Sequence, residues 1–133
     1  MKQHVNPKWI LLDSQSTADI FANGSLLTNI HVSDHSLEIH SNGETNITNL
    51  KGTLLGYSTV WYGPSGIANV LSLARVRKKY RVTCDSSRGN QFVVTKEDGS
   101  KRTFKQSDTG LYYISVGGDE DDNNKERTRE KKM

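Results

Sequence analysis

Four consecutive apolar residues, Trp9-Ile10-Leu11-Leu12, stop at an aspartate and give way to Ser14-Gln15-Ser16-Thr17. An apolar run this short, cut off by small hydroxylated residues, reads as a buried strand feeding a turn. It delivers a single carboxylate, Asp13, to the head of that turn. The carboxylate also has a plain structural use, because Asp and Ser side chains bond the backbone two residues on and make turns by themselves. Chemistry at Asp13 therefore needs support from the rest of the chain.

Most of the remaining apolar content comes in pieces of the same size. Leu37-Glu38-Ile39-His40 alternates as a half-buried strand does, Ser41-Asn42-Gly43-Glu44 supplies a hairpin tip, and residues 45–50 return antiparallel. Residues 51–62 read as one or two further strands, with Trp61 and Tyr62 as core or interface bulk. After the turn Gly63-Pro64-Ser65-Gly66, Val70, Leu73 and Val76 recur every three positions, which predicts a short helix from about Ser72. Residues 81–85, 91–95 and 100–104 are three more strands, Glu97-Asp98-Gly99 is a hairpin signal, and residues 111–116 close the sheet. From Gly117 a Gly-Gly pair, an acidic block and mixed charge without aromatics predict a disordered tail. The expected organisation is an N-terminal arm over 1–8, one mainly β domain over 9–116 with one or two short helices, and a charged tail over 117–133.

Several function classes are set aside on composition. No apolar stretch approaches the roughly 18 residues that span a bilayer, and residues 1–8 lack an apolar signal core, so an intracellular chain (cytoplasm or nucleus) with no membrane partner is expected. The lone Cys84 has no partner for an internal disulfide, and its place in a strand predicts a buried, inert thiol. His31, His35 and His40 do not converge on one face, so neither a metal nor any other cofactor is expected. No Gly-rich phosphate loop is present. The net charge of +3 is uneven: a basic run fills residues 75–81 and an acidic block residues 119–122. A basic run with a tyrosine could track a nucleic-acid backbone, yet it reads first as the solvated face of a short helix, and a nucleic-acid partner is not expected.

The order of these segments carries a resemblance. Ile10-Leu11-Leu12-Asp13-Ser14 resembles the strand and active-site loop of retroviral-type aspartic proteases, whose motif runs hydrophobic, hydrophobic, Asp, Ser or Thr, Gly. Ser58-Thr59-Val60-Trp61-Tyr62-Gly63-Pro64 followed by Ala68-Asn69-Val70-Leu71-Ser72-Leu73-Ala74-Arg75-Val76 is similar to the late strand and helix of that family. Tyr80-Arg81-Val82-Thr83-Cys84-Asp85 and Thr109-Gly110-Leu111-Tyr112-Tyr113-Ile114 complete a set that resembles, over roughly residues 8–116, the protease-region β-barrel of copia-type LTR retrotransposon Pol polyproteins.

The resemblance implies a closed, retropepsin-like β-barrel and an aspartic endopeptidase that cleaves its own polyprotein. It implies Asp13 as the catalytic carboxylate, Ser14, Gln15, Ser16 and Thr17 as the active-site loop, and Ser14 as a brace between two loops. Asn42 and Gly43 would be the tip of a mobile flap, and Val70, Leu71 and Ser72 the late-strand motif. Peptide hydrolysis by aspartates needs two carboxylates close enough to share a proton. Only Asp13 follows an unbroken apolar run, so the second carboxylate is expected from a second copy in a homodimer. Two positions depart from the pattern, Gln15 and Ser72, where the family has glycine. They leave a second expectation open, a catalytically silent β-barrel that serves the polyprotein as an interaction module.

Overall fold

A computed structural model describes residues 5–116, apart from residues 42 and 89. The tail expected from Gly117 lies outside the described residues, as does Asn42 of the hairpin tip.

The chain is mainly β. Ten strands follow one another: β1 (Trp9–Asp13), β2 (Ile20–Phe21), β3 (Thr28–Ser41), β4 (Glu44–Leu54), β5 (Ser58–Tyr62), β6 (Asn69–Ser72), β7 (Arg81–Asp85), β8 (Gln91–Thr95), β9 (Lys101–Gln106) and β10 (Tyr112–Ser115). Among the described residues one α-helix, α1 (Leu73–Lys79), leaves the end of β6, and short 3-10 turns occupy Gly24–Leu26 and Ser86–Arg88. The helix begins where its apolar spacing places it, with the Ser72 side chain accepting from the Arg75 N–H as N-cap.

All ten strands form one sheet in the order β3-β4-β5-β2-β6-β1-β10-β9-β8-β7. That order has two ends, β3 and β7, so the hydrogen-bonded ladder is open rather than the closed ring expected. Its middle is built from strands distant in sequence. β6 lies between β1 and β2, parallel to β1 with Ile10 opposite Asn69 and Asp13 opposite Ser72, and antiparallel to β2 with Ile20 opposite Val70. On its other side β1 pairs antiparallel with β10, Leu12 opposite Tyr112.

The alternation of β1 decides which face is core. Ile10 and Leu12 join Phe21, Val60, Leu71, Val76, Val94 and Phe104 in one buried cluster. Full burial of side chains this size stabilises by about 1.5–3 kcal/mol each. α1 lies on that same face through Val76, while its Arg77, Lys78 and Lys79 face solvent.

Residues 25–30 divide between the Gly24–Leu26 turn and the first part of a 14-residue β3. One further expectation is modified: Cys84 is exposed, not buried. It sits on β7, an end strand paired only with β8, and although its pairing with Phe92 turns it to the core-facing side, at the end of the sheet the core no longer covers it.

Candidate functional site

The strand β1 ends at Asp13, whose Oδ1 accepts the Gln15 N–H at 2.8 Å. This is the turn that an Asp-Ser sequence makes on its own. The other carboxylate oxygen has no partner among the described residues. Ser14 and Gln15 are exposed, Ser16 is half-buried and Thr17 is exposed. Gln15 is absent from the positions that carry positive φ, which outside glycine are Asn29 and Asn90 among the described residues. The turn therefore does not need the left-handed backbone that would call for glycine, and the glutamine sits there without strain. Beside Asp13, Ser14 and Gln15 an open cleft of ≈ 420 Å³ is also lined by Gly110 and Leu111 of the β9–β10 connection and by Tyr112 at the start of β10.

Ser72 lies directly across from Asp13 in the parallel pair and is fully buried. Its Oγ donates to the Ser16 carbonyl at 2.7 Å and accepts the Arg75 N–H at 3.3 Å. One hydroxyl thus ties the loop after Asp13 to the start of α1. Val70 and Leu71 of the same motif play unequal parts, Leu71 buried in the core and Val70 half-buried.

Two residues that hold this loop escape a reading of motifs. Asp19 is buried, and its Oδ1 accepts the Ser72 N–H at 2.7 Å while Oδ2 accepts the Tyr57 hydroxyl at 2.9 Å. Arg75 Nε stands 3.5 Å from the same Oδ2, so the buried charge has a cation and two donors. Tyr57 responds: burial first, then the Asp19 charge and hydrogen bond, hold its phenol well above its ordinary value. Asn69 is the second. Its Oδ1 accepts from the N–H groups of Ala22 and Asn23, and its Nδ2 donates to the carbonyls of Pro7 and Trp9. All four hydrogen-bonding positions of one buried amide are filled, and they join the entry to β1, the exit of β2 and β6. The signal for both was present: Asp19 is a lone acid between apolar residues, and Asn69 heads an inward-facing strand.

The expected hairpin is β3 paired with β4, with Gly43 at its tip in the left-handed region, φ 80°. No atom lies within 4 Å of where a Gly43 Cβ would stand, so backbone conformation alone selects glycine. Val32 and Ile47 are exposed on this hairpin, on opposite faces, since Val32 pairs with Leu50 and Ile47 lies three residues before it. The histidines of β3 do not meet. His40 faces Glu38 at 3.3 Å and Thr45 at 3.1 Å, and His31 bonds the Asn29 carbonyl. Among the described residues no group of three or more His, Cys, Asp and Glu side chains could hold a metal, and no helix is long and apolar enough to cross a membrane. Ser14 makes no side-chain hydrogen bond among the described residues.

The structure thus brings together Asp13, the loop to Thr17 and Ser72, and it adds Asp19, Tyr57, Asn69 and Arg75 as the frame behind them. Compared with known proteins, the chain matches no family model, no curated protein and no solved structure.

Proposed function

We propose that the chain is the retropepsin-like aspartic endopeptidase domain of a copia-type retrotransposon polyprotein, working as a homodimer with one Asp13 from each copy. The observation that carries this reading is the threading of β6 between β1 and β2, which sets an accessible carboxylate at the head of a rigid parallel pair. Catalytic groups on sheet ends backed by filled hydrogen bonds are held to the tolerance that bond-breaking needs. Asp13 has one oxygen fixed by its own turn and one left for a proton or a water. The exposed Ser14 hydroxyl, which has no hydrogen-bond partner among the described residues, supports a role across a two-fold axis.

In such a pair one carboxyl is protonated and polarises the scissile carbonyl, while the other is ionised and takes a proton from the attacking water. The two aspartates hold a single proton between them, and the pair titrates as one unit. The silent interaction module is favoured by one feature only, the exposed Gln15 side chain beside the carboxylate.

Asp13→Asn separates the readings. It keeps the shape and the bond to the Gln15 N–H but removes the ionisable group, so cleavage of an unstructured polypeptide should vanish while folding persists. Because each site takes two chains, the specific activity of the unaltered protein should also fall on dilution. Undiminished turnover in the Asp13→Asn protein rules out the aspartic mechanism. A folded native protein with no turnover at any concentration leaves the silent module.

A further inference from the structure

The side of the sheet turned away from the core has a composition of its own. Strand alternation puts Arg81 and Thr83 of β7, Gln91, Val93 and Thr95 of β8, and Lys101, Thr103 and Lys105 of β9 on one face, because Arg81 pairs with Thr95 and Thr95 with Lys101, and Gln91 pairs with Lys105. Lys105 pairs in turn with Tyr113, so β10 and β1 continue the same face. Their contribution is Tyr113 and Trp9, stacked with ring centroids 3.8 Å apart and planes 16° from parallel. The intervening residues Val94, Phe104, Ile114 and Ile10 point to the core, where α1 lies. Arg81, Lys101 and Lys105 are exposed, and both rings are half-exposed.

Charge is divided the same way. Residues 73–106 hold ten Lys and Arg against three Asp and Glu, whereas residues 5–72 and 107–116 hold two against six. A half-chain this basic attracts polyanions. The cations of α1 do not share the sheet face: Lys79 and Lys96 lie over the Tyr80 ring, at 5.5 and 5.7 Å from its centre, beside the helix on the core side.

We infer that the outer face of β7, β8, β9 and β10 binds single-stranded nucleic acid, with Arg81, Lys101 and Lys105 on phosphates and the Trp9–Tyr113 stack as a platform for a base. Threonine and glutamine between the cations supply hydroxyl and amide groups for sugar and base edges. A single strand is selected over a duplex because only unpaired bases offer a free π-face to a flat sheet. Binding here does not depend on peptidase activity.

The test uses the full chain carrying Trp61→Phe, which leaves Trp9 as its one tryptophan, and a labelled 15-nucleotide oligothymidylate followed by anisotropy. Binding should quench Trp9 emission. With three phosphates contacted, affinity should fall about 20-fold between 50 and 200 mM salt. A duplex of the same length should bind at least about fivefold more weakly. Lys101→Glu with Lys105→Glu, both at exposed positions, should cost at least about tenfold, against less than about threefold for Arg77→Glu with Lys78→Glu on α1, which change net charge equally. No binding at 50 mM salt overturns the assignment, as does unchanged Trp9 emission, equal binding of the duplex, or equal losses from both pairs of substitutions. If the sheet substitutions abolish self-association while no oligonucleotide binds, the face belongs to a second copy and the assignment is also overturned.

Discussion

Removing the Ser72 hydroxyl tests whether the Asp13 loop is held from behind. In Ser72→Ala the N-cap of α1 is lost, which costs about 1 kcal/mol. The Ser16 carbonyl also loses its donor at 2.7 Å. An acceptor left unpaired costs about 1–3 kcal/mol when buried, and the lower end applies because this bond is only partly buried. The sum is about 2 kcal/mol, a large share of the roughly 5–15 kcal/mol that keeps a small domain folded. Ser72→Gly reaches a similar total by another route. Its cap loss is only a few tenths of a kcal/mol, but it adds about 0.5–1 kcal/mol of backbone entropy. Urea unfolding followed by tryptophan fluorescence measures both. With a slope near 1.5 kcal/mol per molar, the midpoint should move down by about 1.3 M. Amide exchange at Gln15 and Ala18 should rise in both variants, since the loop has lost its tether while the sheet has not. A Ser72→Ala protein within about 0.5 kcal/mol of the parent, with loop exchange unchanged, would show that the hydroxyl braces nothing.

Three other outcomes follow from the same frame. Gln15→Gly should lower the stability of the chain by about 0.5–1 kcal/mol through added chain freedom, because the native turn has no need of positive φ; it should also tighten self-association by removing the bulky exposed group beside Asp13, and a variant that sediments no differently defeats that second part. Tyr57 is held above its ordinary value of 10.0 in the folded chain, so the fold retains a proton that the unfolded chain has released; stability should be full below pH 10, fall as pH rises above it, and fall less in Tyr57→Phe, measured as unfolding midpoint against pH. Asn69→Asp is nearly isosteric but turns two donors toward Pro7 and Trp9 into acceptors facing carbonyls, and should cost about 3 kcal/mol or more by chemical denaturation, with Asn69→Ala intermediate.

The parts of the fold that short-range rules govern were legible in the sequence. The β3–β4 hairpin was visible in the alternation of residues 37–40 and in Gly43, α1 in the three-residue spacing and the serine before it, and the end of β1 in the abrupt step from Leu12 to Asp13. Asp13, Ser14 and Ser72 were named as candidates, and the structure sets Asp13 across from Ser72. What could not be read was long-range. Pairing of β1 with β6 and β10 joins residues about sixty and a hundred positions apart, and the apolar setting of Asp19 and Asn69 marks them as inward-facing without naming the partners about fifty residues away that satisfy them. Ser72 misled for the same reason: judged against a pattern it was a departure, and only its neighbours show what the hydroxyl does. Cys84 was misplaced because strand membership says nothing about whether the strand lies at the end of the sheet.

The neighbours of β1 also set a timetable. The strand that carries Asp13 leaves the ribosome before both of its neighbours, which come from residues 69–72 and 112–115. A nascent chain that has emerged as far as Tyr62 can already close the β3–β4–β5 meander, whose contacts are local and quick to form. It has no partner for either edge of β1, and Asp13 stays on an unstructured segment. Only when β10 has been made is that strand enclosed. The Asp13 carboxylate is thus synthesised well before the strands that fix it, so translation itself delays the completion of its loop.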